Sequence, residues 1–185
     1  MDAVCFGTLA QREDVSQLTI WKFLEATKPG CLRVFDINLR QSYYNRQIIL
    51  KSLEFATVLK LNEDELPIVA DILGYEGDEE QILSHLLSAF QLQLIAYTKG
   101  SQGSLLITNK EKSFCQVPEI EIADTVGAGD SFTAILLSGI LHGMELKKLH
   151  YLATEVAAYV CTQQGATPEL PKKLINQIEK HSDRI

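Results

Sequence analysis

The chain has 185 residues, of which 46% are hydrophobic and 22% are charged. That length and composition are typical of one globular domain with enough apolar residues for a core. The formal net charge of −7 argues against nucleic acids and anionic membranes as partners, because both attract basic surfaces. The sequence shows no apolar run of eighteen residues and no secretory leader pattern, so we expect a cytoplasmic protein.

The four cysteines are widely separated along the chain, at Cys5, Cys31, Cys115 and Cys161. No pair has the CxxC spacing of a redox or zinc motif, and the histidines form no HExxH pattern. We therefore expect reduced thiols and no metal centre built from cysteine or histidine.

In chain order, the first half of the sequence predicts alternating strands and helices. The pattern predicts a strand at 3–6, a helix at 14–27, a strand at 32–37, a helix at 46–55 and a strand at 57–61. Asn62 is expected to be the N-cap of a helix over 63–73, which Gly74 ends.

The second half continues the alternation and then becomes helical. The pattern predicts a helix at 79–90, a strand at 92–98, a hairpin of 104–108 with 113–117, and helices at 128–142, 146–161 and 171–181. Strands that alternate with helices predict an α/β fold, with a mostly parallel sheet and helices on both faces. We expect residues 1–185 to form a single domain.

Polar segments follow the ends of the predicted strands at 36–40, 62–65 and 98–103, and one more follows the hairpin at 124–130. In parallel sheets, ligands bind at the carboxyl ends of the strands. We therefore expect these four segments to line one rim.

The segment Asp124–Asp130, called the glycine turn here, reads DTVGAGD and precedes an apolar helix. Its glycines permit a tight turn, and the N–H groups of a helix N-terminus attract anions. An aspartate beside an anion site is explained if a phosphoryl group moves to a hydroxyl, because a carboxylate can accept the hydroxyl proton. The alternative is an ordinary tight turn whose aspartate is favoured by the helix dipole.

Taken together, the motifs resemble the ribokinase-like (PfkB) family of carbohydrate kinases. The matching segments are DTVGAGDSF at 124–132, NEDE at 62–65, TKGSQG at 98–103 and DINLR at 36–40, in the family's order. The sequence around these motifs, such as LKLNEDEL at 59–66 and YVCTQQGATPELP at 159–171, is most similar to the fructokinase branch.

The resemblance implies an ATP-dependent kinase that phosphorylates a sugar hydroxyl. Asp130 would be the general base, and the N–H groups of Gly127, Ala128 and Gly129 would form an anion hole. The nucleotide would contact four residues: Asn62, Thr98, Gly100 and Gly103.

The resemblance also implies substrate and metal contacts. Asn38 and Arg40 would lie near the sugar and the transferred phosphate, where arginine supplies a planar fork of donors. Glu65 would help hold Mg²⁺ through water. A loop for a monovalent cation such as K⁺ would involve three residues: Asp124, Val126 and Gly165.

Several of these segments have simpler interpretations. Asn62 with Glu65 is also a variant of the helix capping box, and both roles can coexist. Residues 98–103 could be only a hairpin turn, and a lone arginine after a strand is usually a surface charge. The sequence lacks the GxxxxGK[ST] motif of Walker-type kinases, and its incomplete GxGxxG pattern argues against a dinucleotide-binding oxidoreductase.

The chain departs from the family at its start, because the family's first strands, Gly-Gly motif, sugar contacts and β lid have no counterpart here. We expect an N-terminally truncated domain with an exposed apolar sheet edge. Two hypotheses follow: a fructokinase-like enzyme, or a non-catalytic nucleotide-binding module or partner-dependent fragment. The resemblance also makes a homodimer an expectation.

Overall fold

The structure is a computed structural model that describes residues 1–182. Its strands are β1 Ala3–Phe6, β2 Leu32–Asp36, β3 Val58–Asn62, β4 Leu94–Thr98, β5 Ser104–Ile107 and β6 Lys112–Cys115. Its helices are α1 Asp14–Glu25, α2 Arg46–Phe55, α3 Glu65–Leu73, α4 Glu79–Ala89, α5 Ala128–Leu141, α6 Leu146–Cys161 and α7 Lys172–Ser182. Two short 3-10 turns occupy Leu9–Gln11 and Gly100–Gln102.

The strands form a six-stranded sheet in the order β1-β2-β3-β4-β5-β6. Strands β1 to β4 pair in parallel, and the register places Val34 beside Val58 and Val58 beside Leu94. Strands β2 to β4 are near-continuous, mostly buried apolar runs, as expected for parallel strands that are covered on both faces, whereas β1 is only partly buried. The predicted α/β fold with a mostly parallel sheet is confirmed.

One predicted helix start was wrong. Asn62 is the last residue of β3 and pairs with Thr98, so it keeps an extended backbone, and α3 begins only at Glu65 with Asp64 as its N-cap residue. The Asn62 Oδ1 atom instead accepts hydrogen bonds from the N–H groups of Asp64 and Glu65, both at 2.9 Å. The reciprocal pairing of a capping box is therefore present, although Asn62 itself remains in the strand.

The remaining differences are small shifts at element ends. Helix α1 ends at Glu25 rather than at 27, and β6 covers Lys112–Cys115 rather than 113–117. The predicted hairpin is present, because β5 and β6 are neighbours in the sheet and the Thr108 N–H donates to the Glu111 carbonyl at 3.0 Å.

The chain divides into two compact units. The first unit contains Met1–Lys99 and Ile107–Lys112, and the second contains Gly100–Leu106 and the described chain from Ser113 to Ser182. In the first unit, the aromatic rings of Phe6 and Phe35 stack with centroids 5.3 Å apart. In the second unit, α5 packs on α6, and Gly139 lies so close to Leu149 that a Cβ atom there would overlap the leucine side chain.

Strand β1 is at one end of the sheet order, and several apolar side chains near it in sequence are exposed. On α1, Val15 is 80% exposed, Leu18 is 52% exposed and Phe23 is 45% exposed. A helix that packs only on its own domain normally buries such residues, so α1 presents an uncovered apolar surface.

Two findings bear on the expected environment. All four cysteines are free thiols, and Cys31 is buried. Within residues 1–182, no helix is both long enough and apolar enough to cross a membrane.

Candidate functional site

In the first unit, the predicted nucleotide residues Asn62 and Thr98 lie side by side at the carboxyl ends of β3 and β4. The chain turns immediately after them, and the Glu63 N–H donates to the Thr98 carbonyl at 3.0 Å. The parallel register therefore brings together two residues that are 36 positions apart, as the sequence predicted.

Glu65 connects this turn to the segment that follows β2. Its Oε2 atom accepts the Asn62 N–H and its Oε1 atom accepts the Leu39 N–H, both at 2.9 Å. The side chain is buried, and this burial raises the pKa of the Glu65 carboxyl despite the two N–H donors. Glu65 thus fixes the backbone next to both Asn38 and Arg40.

The predicted substrate residues lie in that braced segment. Asn38 has a φ of 45°, in the left-handed region that asparagine tolerates better than most residues. Asn38 and Arg40 are both exposed, and the Arg40 guanidinium donates to the Leu39 carbonyl at 3.4 Å. Their side chains are therefore available for a ligand.

The sequence interpretation missed a buried ion pair beneath this segment. The Lys60 Nζ atom, in the middle of β3, lies 3.0 Å from Oδ1 and 2.8 Å from Oδ2 of Asp36, the last residue of β2. Both side chains are nearly buried, with 13% and 10% of their surface exposed. The sequence could have predicted this pair, because Lys60 and Asp36 each lie within an apolar strand and charged side chains are rarely buried unless they are paired.

Beyond Thr98, the first unit anchors the end of β4 to α4. The Tyr97 hydroxyl donates to Glu79 Oε1 at 2.9 Å, and Lys99 Nζ lies 2.9 Å from Glu79 Oε2. Burial raises the pKa of Tyr97, so the phenol stays protonated and keeps this hydrogen bond.

The second unit contains the glycines that follow. Gly100 has a φ of 48° and Gly103 has a φ of 109°, conformations that favour glycine. A Cβ atom on Gly103 would lie 2.5 Å from the Cys115 carbonyl oxygen. The residues 100–103 thus form a tight corner against β6, and a hairpin-type turn explains its shape.

The glycine turn is also in the second unit, at the N-terminus of α5. Gly127 is the N-cap residue with a φ of 85°, and no side chain caps the helix. The Ala128 N–H lies 3.4 Å from the Thr125 carbonyl, a long hydrogen bond within the turn. A Cβ atom on Gly127 would overlap the backbone of Ala166, so only glycine fits this position.

Asp130 lies in the first turn of α5 and is exposed, as is Gly129. An uncapped helix start leaves N–H groups without intrahelical acceptors, and the helix dipole adds positive potential there. The glycine turn therefore combines anion-binding groups with an exposed carboxylate.

All three residues predicted for the cation loop are joined by hydrogen bonds. The Asp124 carboxylate accepts the N–H of Val126 at 3.0 Å and that of Gly165 at 3.3 Å. These N–H groups hold the pKa of Asp124 below its usual value. The loop at 163–166 is thereby tied to the glycine turn, and the cation role stays a prediction.

No group of three or more His, Cys, Asp or Glu side chains in residues 1–182 could hold a metal ion by itself. Both Glu65 carboxylate oxygens already accept backbone N–H groups. Mg²⁺ usually keeps several waters and takes one or two carboxylates plus substrate phosphates, so the residues fit such an ion only through water. Direct coordination by Glu65 is not supported by this geometry.

Comparison with known proteins identifies the family. The profile of the pfkB family carbohydrate kinases matches residues 12–173, which include every predicted site segment. The chain belongs to the pfkB family of carbohydrate kinases. The resemblance inferred from the motifs is confirmed.

Three relatives illustrate the match of this pfkB-family chain. The uncharacterized sugar kinase PH1459 from Pyrococcus horikoshii is 31% identical over 173 residues, covering 88% of this chain and 51% of the relative. A nucleoside kinase from Methanocaldococcus jannaschii is 28% identical over 152 residues, covering 80% and 47%. A fructokinase from Klebsiella pneumoniae is 29% identical over 181 residues, covering 90% and 57%.

Comparison with solved structures confirms the fold of this chain. The structure of PH1459 in complex with ATP superposes with a TM-score of 0.77 at 29% identity, covering 96% of this chain and 59% of that one. This chain spans about half the length of the curated relatives it matches.

Proposed function

We propose that this chain carries the catalytic centre of an ATP-dependent sugar kinase of the fructokinase type. The observation that carries the proposal is the glycine turn, where an uncapped helix N-terminus meets the exposed carboxylate of Asp130. Family membership supports the reaction class, and ATP is named in the solved structure of PH1459.

In this proposal, Asp130 accepts the proton of the sugar hydroxyl as the phosphoryl group moves. The N–H groups of Gly127, Ala128 and Gly129 stabilise the charge on the phosphoryl oxygens. Phosphoryl transfer depends mainly on positioning and on electrostatic stabilisation, which rigid N–H groups supply without reorganisation.

The first unit would bind the nucleotide and the acceptor. Asn62 and Thr98 would contact the nucleotide, with Gly100 and Gly103 of the second unit. Asn38 and Arg40 would face the sugar and the transferred phosphate. Mg²⁺, when bound, would neutralise charge on the phosphates, with Glu65 reached through water. We further propose that a monovalent cation such as K⁺ binds in the loop formed by Asp124, Val126 and Gly165.

A coupled assay of ADP release tests this assignment. With ATP and fructose, the chain should turn over, and Asp130→Asn should reduce kcat by about 10²–10⁴-fold, the usual contribution of a general base. Asp14→Asn is the matched control, because Asp14 is also an exposed acidic residue in the first turn of a helix. Equal rates for the wild type and Asp130→Asn would refute the role of Asp130.

The substrate needs its own test, because relatives include a fructokinase and a nucleoside kinase. We expect fructose to be phosphorylated at a primary hydroxyl, with a kcat/KM above those of ribose and of a nucleoside such as inosine. A higher kcat/KM for the nucleoside would replace the fructokinase assignment and leave the kinase chemistry in place.

The second candidate is a module that binds nucleotide without turnover or acts only with a partner. The chain's coverage of about half of its relatives and the exposed apolar side chains of α1 favour it. Calorimetric binding of MgATP without sugar-dependent ADP release would support this candidate. Analytical ultracentrifugation tests the expected homodimer, and fractionation tests the cytoplasmic location.

A further inference from the structure

One buried histidine has no role in the proposed chemistry. His150 on α6 is 0% exposed. Its Nε2 atom lies 2.8 Å from the Ser104 Oγ atom on β5, and its Nδ1 atom lies 2.9 Å from the Ser113 Oγ atom on β6. A neutral imidazole has one donor and one acceptor, so one serine donates to the ring and the other accepts from it. We call these three residues the His150 clamp.

The surroundings of His150 favour the neutral form of its imidazole ring. Burial lowers the pKa of His150 to about 4, so the imidazole is uncharged near pH 7. Ser104 and Ser113 are also buried, at 4% and 7% exposed. Each hydroxyl would lose a buried partner if the ring were removed.

One end of the clamp lies at the proposed nucleotide corner. Ser104 directly follows Gly103, which packs so closely on the Cys115 carbonyl that no side chain fits there. The position of the Gly100–Gly103 corner in the second unit is therefore fixed by Gly103 on one side and by the Ser104 hydroxyl on the other.

The other end of the clamp lies against the helix that carries the proposed base. The Phe132 ring meets the His150 ring edge-on, at 89° with centroids 6.2 Å apart. Phe132 is buried and is two residues after Asp130. The close approach of Gly139 to Leu149, next to His150 in sequence, fixes the spacing of α5 and α6.

We propose that His150 is a positioning residue that holds the Gly100–Gly103 corner in register with the first turn of α5. The inference rests on the proposed function, because that function assigns the Gly100–Gly103 corner and the first turn of α5 to the same bound nucleoside triphosphate. His150 touches no substrate in this proposal. It acts through Ser104 and Phe132, which hold the two segments where they would contact the nucleotide.

Four variants separate positioning from simple stability. His150→Leu removes both hydrogen bonds, whereas Ser104→Ala releases only the corner. His150→Gln keeps one donor and one acceptor and should restore part of the function. Val156→Ala is the control, because Val156 is a buried apolar residue on the same helix, at 2% exposed.

We expect the variants of the His150 clamp to change KM for ATP more than they change kcat. His150→Leu and Ser104→Ala should raise KM for ATP by about tenfold, the scale of one lost buried hydrogen bond, with a smaller change in kcat. Val156→Ala should lower Tm without changing KM. An unchanged KM in Ser104→Ala, together with a lower Tm, would overturn the proposal. If His150→Leu does not fold, Ser104→Ala and His150→Gln still decide it.

Hydrogen exchange without nucleotide tests the same proposal independently of activity. In Ser104→Ala, the amides of Gly103, Ser131 and Phe132 should exchange at least about tenfold faster than in Val156→Ala. Equal protection in both variants would overturn the inference. Failure of the proposed function is a separate result, because it would show as a wild-type chain that neither binds MgATP nor releases ADP.

Discussion

Residues 62–65 hold their shape through a buried side chain, whereas the glycine turn holds its shape through backbone geometry. Glu65 is 6% exposed, and each of its oxygens accepts a backbone N–H. The glycine turn has an uncapped helix start and a positive φ at Gly127. The first segment should therefore be sensitive to loss of a side chain, and the second to gain of one.

The largest expected effect tests the first half of this comparison. Glu65→Ala leaves the part-buried N–H groups of Leu39 and Asn62 without their acceptors, at about 1–3 kcal/mol each. We expect the free energy of unfolding to fall by about 4 kcal/mol in urea denaturation. Asp64→Ala is the control, because the exposed Asp64 side chain makes no capping hydrogen bond. A loss as small as that of the control would mean that Glu65 does not brace the turn.

Glycine substitutions test the other half. Gly127→Ala combines a strained φ with overlap on Ala166, so we expect it to lower the free energy of unfolding by about 3 kcal/mol. Gly165→Ala is a close match, because its φ is 81° and nothing lies within 4 Å of the added methyl group. It should be less stable than the wild type by only about 1 kcal/mol. Equal losses in the two variants would show that φ alone shapes the turn.

These particular residues also show how far the sequence predicted the molecule. Within residues 1–182, periodicity located each α-helix and strand, although not the two short 3-10 turns, because apolar runs of parallel strands and amphipathic helices are distinct patterns. It misplaced the start of α3, because pairing of Asn62 with Thr98 extends β3 by one residue, which no local pattern encodes. Local propensity is weak against such tertiary pairing.

The site was predicted in part for the same reason. The glycine turn is local, so its residues identify it directly. The Asp36–Lys60 pair and the His150 clamp join side chains that are 24 to 46 residues apart. A serine or a histidine inside an apolar segment does not by itself indicate which residue will be its hydrogen-bond partner. Only the fold reveals that these polar groups satisfy one another.

Acid pH should weaken the clamp next to the proposed base. The pKa of His150 is about 4 in the folded chain against 6.5 for the free side chain, so the unfolded chain binds the proton first. Stability should therefore be full above pH 6.5, should decrease as the pH falls to about 4, and should lose about 3 kcal/mol from this group.

Urea denaturation between pH 7 and pH 4 measures this loss. His150→Gln does not titrate, so the difference between the wild type and this variant isolates the imidazole from the carboxylates. The two stability curves should converge as the pH falls. Parallel curves over the whole range would show that His150 is not a buried neutral ring.

The smallest expected effect concerns Asp124, a side chain that helps to hold the glycine turn. Asp124 accepts the N–H groups of Val126 and Gly165, which lower its pKa below 3.8. Its hydrogen bonds should be complete above pH 3.8 and should weaken only as the pH falls through the lower folded pKa. The amide proton shifts of Val126 and Gly165 should then titrate together below pH 3.8, and Asp124→Asn should abolish that titration. A shared midpoint at or above 3.8 would mean that the two N–H groups do not stabilise the carboxylate. In that case the contact of Gly127 with Ala166 would hold the loop at 163–166 to the glycine turn without help from the Asp124 carboxylate.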